Sequence, residues 1–191
     1  MVQAVVMAGG ASRRLGQPKA LVPLLEGTVL TVTVHRLVKL GIETVVVVHP
    51  DLVADATDLP CRVVVNHRPD DGRTGSLQLG LAELSPPLSE VLVCPVDRPG
   101  WDGAVLERLL ATPGEAVVPM HDGRAGHPLL VRGKSLERLS LLAVDAPLRD
   151  ALDERAKVEV DAPFLHVNLD RPEDLTVMPA LAAWLMRGEN P

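Results

Sequence analysis

The stretch Val5-Val6-Met7-Ala8-Gly9-Gly10-Ala11-Ser12-Arg13-Arg14-Leu15-Gly16-Gln17-Pro18-Lys19 decides how the rest of the chain is read. Its opening residues close an apolar run, residues 3–8, that reads as a buried strand, and a loop rich in glycine, serine and arginine follows over residues 9–18. Glycines let a backbone approach a ligand closely, and the exposed amides of such a loop hydrogen-bond phosphate oxygens. Arg13, Arg14 and Lys19 add fixed positive charge. Two common phosphate loops do not fit: the dinucleotide fingerprint needs G-x-G-x-x-G, whereas these glycines fall at 9, 10 and 16, and G-x-x-x-x-G-K-[ST] is not met. Spacing alone leaves two readings, a triphosphate cradle or a tight turn with solvated arginines.

Outward from this loop, short Val- and Leu-rich runs alternate with longer amphipathic segments, the pattern of a parallel sheet covered by crossover helices. The class is α/β. Further strands are expected at residues 43–48, 61–65, 90–96, 115–119 and 128–132, with short ones near Val158 and Leu165. Helices are expected at residues 28–40, 74–84, 101–110, 135–142 and 147–156, and from Pro172 or Glu173 to about Arg187. The first places Leu30, Val34, Leu37 and Val38 on one face, with Gly41 just past its end. Ser85-Pro86-Pro87 stops the second, because proline lacks the donor and restricts the residue before it. With no repeat or low-complexity linker, residues 1–191 read as one domain.

Composition excludes several functions. Nineteen Lys and Arg against 25 Asp and Glu give a net charge of −6, the wrong sign for a general polyanion surface. Two Trp, one Phe and no Tyr make a poor stacking platform, so no nucleic-acid partner is expected. Cys61 and Cys94 lie in Val-rich runs and read as reduced core thiols rather than a disulfide framework. No apolar stretch reaches the ~18 residues of a membrane span. Met1-Val2-Gln3-Ala4 also carries no charge before its apolar run, so the expectation is a cytoplasmic protein without a membrane partner.

Few residues outside the loop suggest chemistry. Asp97 follows the strand at 90–96, and ligands of open α/β sheets bind beyond the carboxyl ends of strands. A carboxylate there suits magnesium, which takes one or two protein oxygens and keeps water and phosphate for the rest. It equally suits a turn or helix cap before Pro99. Asn168 and Asp170, two apart on an extended run, share one side of a strand; Asp170 either reaches the site or caps the helix beginning at Pro172. Asn66 reads as a turn residue, and His127 beside Pro128 as a structural one. The six histidines show no i, i+4 pair and no cysteine at zinc spacing. Ser12 lacks the G-x-S-x-G elbow of a hydrolase.

The pattern Ala8-Gly9-Gly10-x-Ser12-x-Arg14-Leu15-Gly16-x-x-Lys19 resembles the signature loop of the MobA-like and MocA-like NTP transferases, the molybdopterin guanylyl- and cytidylyltransferases. Asn66, Gly72-x-x-Gly75-Ser76-Leu77-x-x-Gly80-Leu81, Pro95-Val96-Asp97-x-Pro99, Gly126-His127-Pro128 and Asn168-Leu169-Asp170-x-Pro172-Glu173-Asp174-Leu175 follow in the family's order. The resemblance implies a three-layer α/β/α fold with a mainly parallel, Rossmann-like sheet of the nucleotidyltransferase type. It implies that Arg14, Lys19 and Asp97 are catalytic. Ala8, Gly9, Gly10, Ser12, Arg14, Lys19, Asn66, Gly75 and Ser76 would bind the nucleotide. Asp97 with Asp170 (or Asn168) would hold Mg2+, and His127 and Asn168 would meet the acceptor.

The implied activity is transfer of CMP or GMP from CTP or GTP to molybdopterin with release of pyrophosphate, and it allows transient contact with molybdoenzymes or cofactor chaperones. Gly9 resembles the guanylyl type, while the 72–81 loop and Gly126-His127-Pro128 look more like the cytidylyl type. Between residues 132 and 168 only Asp145 and Arg149 resemble a cytidylyl element. Two alternatives stand beside this reading: the same chemistry on another phosphorylated acceptor such as a sugar phosphate, or a non-catalytic nucleotide- or cofactor-binding protein. Keeping Arg14, Lys19 and Asp97 together counts against the last.

Overall fold

Strand β1 (Val2–Ala8) is buried from Gln3 onward, which a strand of Ala, Val and Met tolerates only between two others. In the computed structural model, which describes residues 1–10, 12, 14–152 and 154–188, it lies between β4 and β6 at the centre of an eight-stranded sheet. Along the chain come the two-residue strands β2 (Pro23–Leu24) and β3 (Gly27–Thr28), helix α1 (Val29–Lys39), β4 (Glu43–Val48), β5 (Arg62–Val65) and α2 (Arg73–Ala82). Then follow β6 (Glu90–Pro95), α3 (Gly103–Ala111), β7 (Ala116–His121), β8 (Arg124–Ala125), β9 (Leu129–Arg132), α4 (Gly133–Leu141), β10 (Ala156–Glu159) and α5 (Met178–Gly188).

The sheet order is β10-β7-β9-β6-β1-β4-β5, with β8 hairpinned onto β7, while β2 and β3 pair separately. Its long pairings, β1 with β4 and β6, and β4 with β5, are parallel. β9 runs antiparallel between β6 and β7. Side chains alternate across the sheet: Ala4, Val6 and Ala8 meet α1, α3 and α5 on one face, and Val5 and Met7 meet α2 and α4 on the other. The three-layer α/β/α arrangement follows. Among the described residues no helix is long and apolar enough to cross a membrane.

Local signals set most helix limits. Thr28 caps α1, its hydroxyl accepting from Thr31 N–H at 3.2 Å while Thr31 Oγ1 accepts from Thr28 N–H at 2.8 Å. Gly41 then leaves the helix at φ +71°, its amide donating to Val38. The helix expected from residue 101 begins at Gly103, because Trp101 is drawn into the core at 1% exposure and Asp102 accepts from Val105 N–H at 3.0 Å.

The structure corrects four expectations. Residues 147–156 form only a 3-10 turn, Leu148–Ala151: Ala151 packs under the sheet, Leu152 is already extended, and Ala156 pairs with β7. Tertiary pairing overrides a helical pattern there. Leu165 lies in a turn, fully buried, not in a strand. The last helix is split into a 3-10 segment, Pro172–Val177, and α5, since Pro179 has no N–H to continue the bonding across the junction. Cys61 precedes β5 half-buried, with burial pushing its thiol up to about 11, whereas Cys94 is wholly buried in β6.

After β6 the chain turns at Gly100, where an added Cβ would overlap the carbonyl oxygen of Phe164. The 162–170 segment therefore lies directly on this turn. Gly100→Ala is expected to lower unfolding free energy by about 1–3 kcal/mol in urea denaturation. Gly103→Ala, whose Cβ meets nothing within 4 Å, should stay within about 0.5 kcal/mol of the wild type.

Candidate active site

β1, β4 and β6 end together, Ala8 beside Val48 and Met7 beside Pro95, and the cleft opens over these carboxyl ends. It encloses about 370 Å³ and is lined by Gly9, Gly10, Ser12, Arg14, Lys19 and Asp97, with Ala8, Arg73, Ser76 and Asp170 also on its walls. Arg13 lies outside the described residues.

The loop after β1 is held in shape by its own polar groups. Ser12 sits at φ +49°, its carbonyl accepting from Leu15 N–H at 3.2 Å and its hydroxyl accepting from Lys19 N–H at 3.0 Å. Leu15 is buried and anchors the far side. At the near side an added Cβ on Gly9 would lie 3.2 Å from Ser76 Oγ and 3.3 Å from Asn66 Nδ2. Those two side chains are joined, Asn66 Nδ2 donating to Ser76 Oγ at 2.9 Å, and Asn66 Oδ1 accepts from Arg68 N–H at 2.8 Å. Asn66, 2% exposed, is thus a platform beneath Gly9 and is not part of the cleft wall, whereas Ser76 is. The Gly75 amide donates to Val144 O at 3.2 Å, so it too is turned away from the cleft.

Charge converges at the loop's end. Lys19 Nζ lies 3.2 Å from Asp97 Oδ2 and 3.0 Å from Asp170 Oδ1, and Arg14, 70% exposed, reaches Asp170 Oδ2 at 2.8 Å. Hydrogen bonding from Lys19, aided by the charges of Lys19, Arg14 and Arg171, holds the Asp170 carboxyl below its ordinary range against partial desolvation. Residues 151 positions apart meet here because Leu169 N–H donates to Asp97 O at 3.0 Å, tying the C-terminal segment to the end of β6.

Asp170 is not the helix cap that the sequence leaves open. Asp174 Oδ2 accepts from the N–H groups of Asp170 (2.8 Å) and Arg171 (2.7 Å), which leaves the Asp170 carboxylate for the cleft. Nor do Asn168 and Asp170 sit on a strand; that run is irregular. Asn168 lines a second, open cleft that shares Asp170 with the first. His127 lines a third, small cavity with Arg98 and Arg155.

Arg73, Arg98 and Arg155 went unnoticed in the sequence. The first two occupy the unspecified positions of Gly72-x-x-Gly75 and Asp97-x-Pro99, and Arg155 belongs to no pattern. Among the described residues no three His, Cys, Asp or Glu side chains gather as a metal cage. Two carboxylates at a phosphate-sized cleft fit magnesium, which keeps water and phosphate oxygens as its other ligands.

Residues 4–160 match the profile of the MobA-like NTP transferase domain. The chain belongs to this family. As a MobA-like nucleotidyltransferase it is 30% identical over 206 residues, 94% of each chain, to a probable molybdenum cofactor guanylyltransferase of Chloroflexus aggregans. Its fold matches the crystal structure of a Mycobacterium sp. strain JC1 homologue of Mycobacterium tuberculosis Rv0371c, with a TM-score of 0.78 at 24% identity over 97% of both chains. A structure of Rv0371c itself in complex with manganese gives a TM-score of 0.73 at 24% identity, over 93% of this chain and 97% of that one.

Burial, with Arg98, Arg73 and Arg155 nearby and Asp97 opposing them, lowers His127 to about 4, so this MobA-like transferase carries it neutral at pH 7. The unfolded chain takes up that proton near pH 6.5, and the folded one only near 4. Burial of His127 therefore costs stability progressively as pH falls through this window, by up to about 3 kcal/mol at its lower end. His127→Asn should flatten the decline in urea-unfolding free energy between pH 7 and 4.5; an identical decline in both proteins would contradict it.

Proposed function

We propose that this nucleotidyltransferase moves GMP from GTP to molybdopterin, releasing pyrophosphate and forming the dinucleotide cofactor. The observation that carries the reading is the Lys19, Asp97, Asp170 and Arg14 cluster at the end of a glycine loop. Relatives named as guanylyltransferases and glycine at position 9 support GTP as donor. An acceptor phosphate oxygen attacks the α-phosphorus, a P–O–P bond forms, and the α–β bond breaks as pyrophosphate leaves. No side-chain nucleophile is required, so positioning and charge neutralisation carry the rate.

In this reading the amides of Gly9 and Gly10 and the side chains of Ser12, Arg14 and Lys19 hold the triphosphate, with Ala8 and Ser76 bordering the nucleoside. Asn66 and Gly75 act indirectly, the first as the platform under Gly9 and the second by anchoring the start of α2. Asp97 and Asp170 hold Mg2+, which when bound offsets phosphate charge and orients the reacting oxygens; the manganese complex of Rv0371c supports a divalent ion here. Lys19 now bridges both carboxylates, with Arg14 supplying the second positive charge at Asp170, and on nucleotide binding Lys19 turns to the triphosphate. His127 and Asn168 line the cavities flanking Asp97 and Asp170, where the acceptor lies. A cytoplasmic location and product hand-over to molybdoenzymes or cofactor chaperones are part of the reading.

Asp97→Ala should fold as the wild type and lower turnover by about 10²-fold or more. Unchanged turnover would remove Asp97 from the mechanism. Lys19→Ala should weaken GTP binding as well as rate, and an unaltered Michaelis constant for GTP would exclude the phosphate contact. Calorimetric titration of GTP against CTP, each with Mg2+, reads the donor directly; tighter CTP binding would replace guanylyl by cytidylyl transfer. Binding without pyrophosphate release from any phosphorylated acceptor would favour the non-catalytic alternative.

A further inference from the structure

The cavity beside Asp97 has a chemistry that the nucleotide site leaves unused. It encloses about 160 Å³, room for one small group rather than a nucleotide, and is lined by Arg98, His127 and Arg155 with apolar walls from Val118 and Leu129. Of these, His127 has its Nδ1 buried without a hydrogen-bond partner, a state that costs free energy. Neither Arg98 nor Arg155 has a side-chain partner among the described residues. Arginine offers donors only, in a planar fork that matches tetrahedral and carboxylate oxyanions. In a chain of net charge −6, two guanidiniums without a side-chain partner among the described residues, set around a half-buried imidazole, form a local anion trap.

We propose that Arg98, His127 and Arg155 form an oxyanion subsite that captures the acceptor's phosphate monoester next to Asp97, outside the nucleotide cleft. The assignment rests on the nucleotidyl-transfer reading above. Arg98 follows Asp97 in the chain, so an anion held by its guanidinium waits beside the residue that anchors the reaction's cation. A neutral His127 offers one N–H without adding a third positive charge, which suits an anion that must be bound and then released toward the α-phosphorus. The same oxyanion chemistry would also fit the leaving pyrophosphate, and the two sources are separable.

The test titrates inorganic phosphate into protein saturated with the α,β-methylene analogue of GTP and Mg2+, and pyrophosphate into the free protein with Mg2+, for wild type, Arg155→Ala, and the Arg98→Ala/Arg155→Ala double variant. The expected result is a loss of phosphate affinity of about tenfold or more in the double variant, with binding of the GTP analogue unchanged within twofold. Equal phosphate affinity in all three proteins overturns the subsite. A parallel loss of analogue or pyrophosphate affinity assigns the cavity to the triphosphate side and overturns the acceptor assignment. Arg155 is exposed, so its single variant keeps the test valid if the double variant fails to fold. If the wild type binds no GTP analogue, the nucleotidyl-transfer reading fails instead, and titration of phosphate into the free protein still decides the cavity.

Discussion

Two carboxylates from opposite ends of the chain, Asp97 and Asp170, share one ammonium, that of Lys19. Without it the two like charges would repel each other, although the backbone bond from Leu169 N–H to Asp97 O and the packing on Gly100 still hold the C-terminal segment on β6. With it, they form an ion-paired triad at the mouth of the sheet that links three separate segments, and Arg14 offsets the negative charge left over. The loop after β1 is fixed by this contact at Lys19 and by Leu15, and Arg14 adds a second hold on Asp170. The triad joins distant segments, and in the proposed mechanism a divalent cation would take the ammonium's place between the carboxylates with charge of the same sign.

The sheet determines why those groups meet. Parallel strands β1, β4 and β6 deliver their following loops to one edge. The antiparallel β9 does the reverse, and His127, two residues before its start, lies at that same edge. Arg98 leaves β6 there, and the side chain of Arg155, preceding β10, completes the small cavity. One edge thus carries a large cleft suited to a triphosphate and a smaller cationic cavity beside it.

Much of the fold was legible because local rules and tertiary packing agree. Val-rich runs at β1, β4 and β6 are buried on both faces, and α1 shows a clear apolar stripe between Thr28 and Gly41. Agreement failed where packing overruled pattern: Leu152 is pulled extended toward the β10 pairing, and Leu165 is buried by a turn lying on Gly100. In the site, the glycine loop, Asp97 and Asp170 stood out by residue type. Asn66 and Gly75 took part in the same motifs, yet one lies beneath the cleft and the other spends its amide on Val144.

The sequence by itself determined an α/β chain with a phosphate-type loop after its first strand and a carboxylate at the end of a later one, because period, turn chemistry and residue type are local properties. Only the tertiary structure decided that Asp170 rather than Asn168 faces Lys19, that Asp174 takes over the capping, and that Arg98 and Arg155 gather around His127. Those outcomes depend on contacts between residues tens of positions apart, set by strand order and by the packing of the 162–170 segment on β6, and no spacing along the chain encodes them.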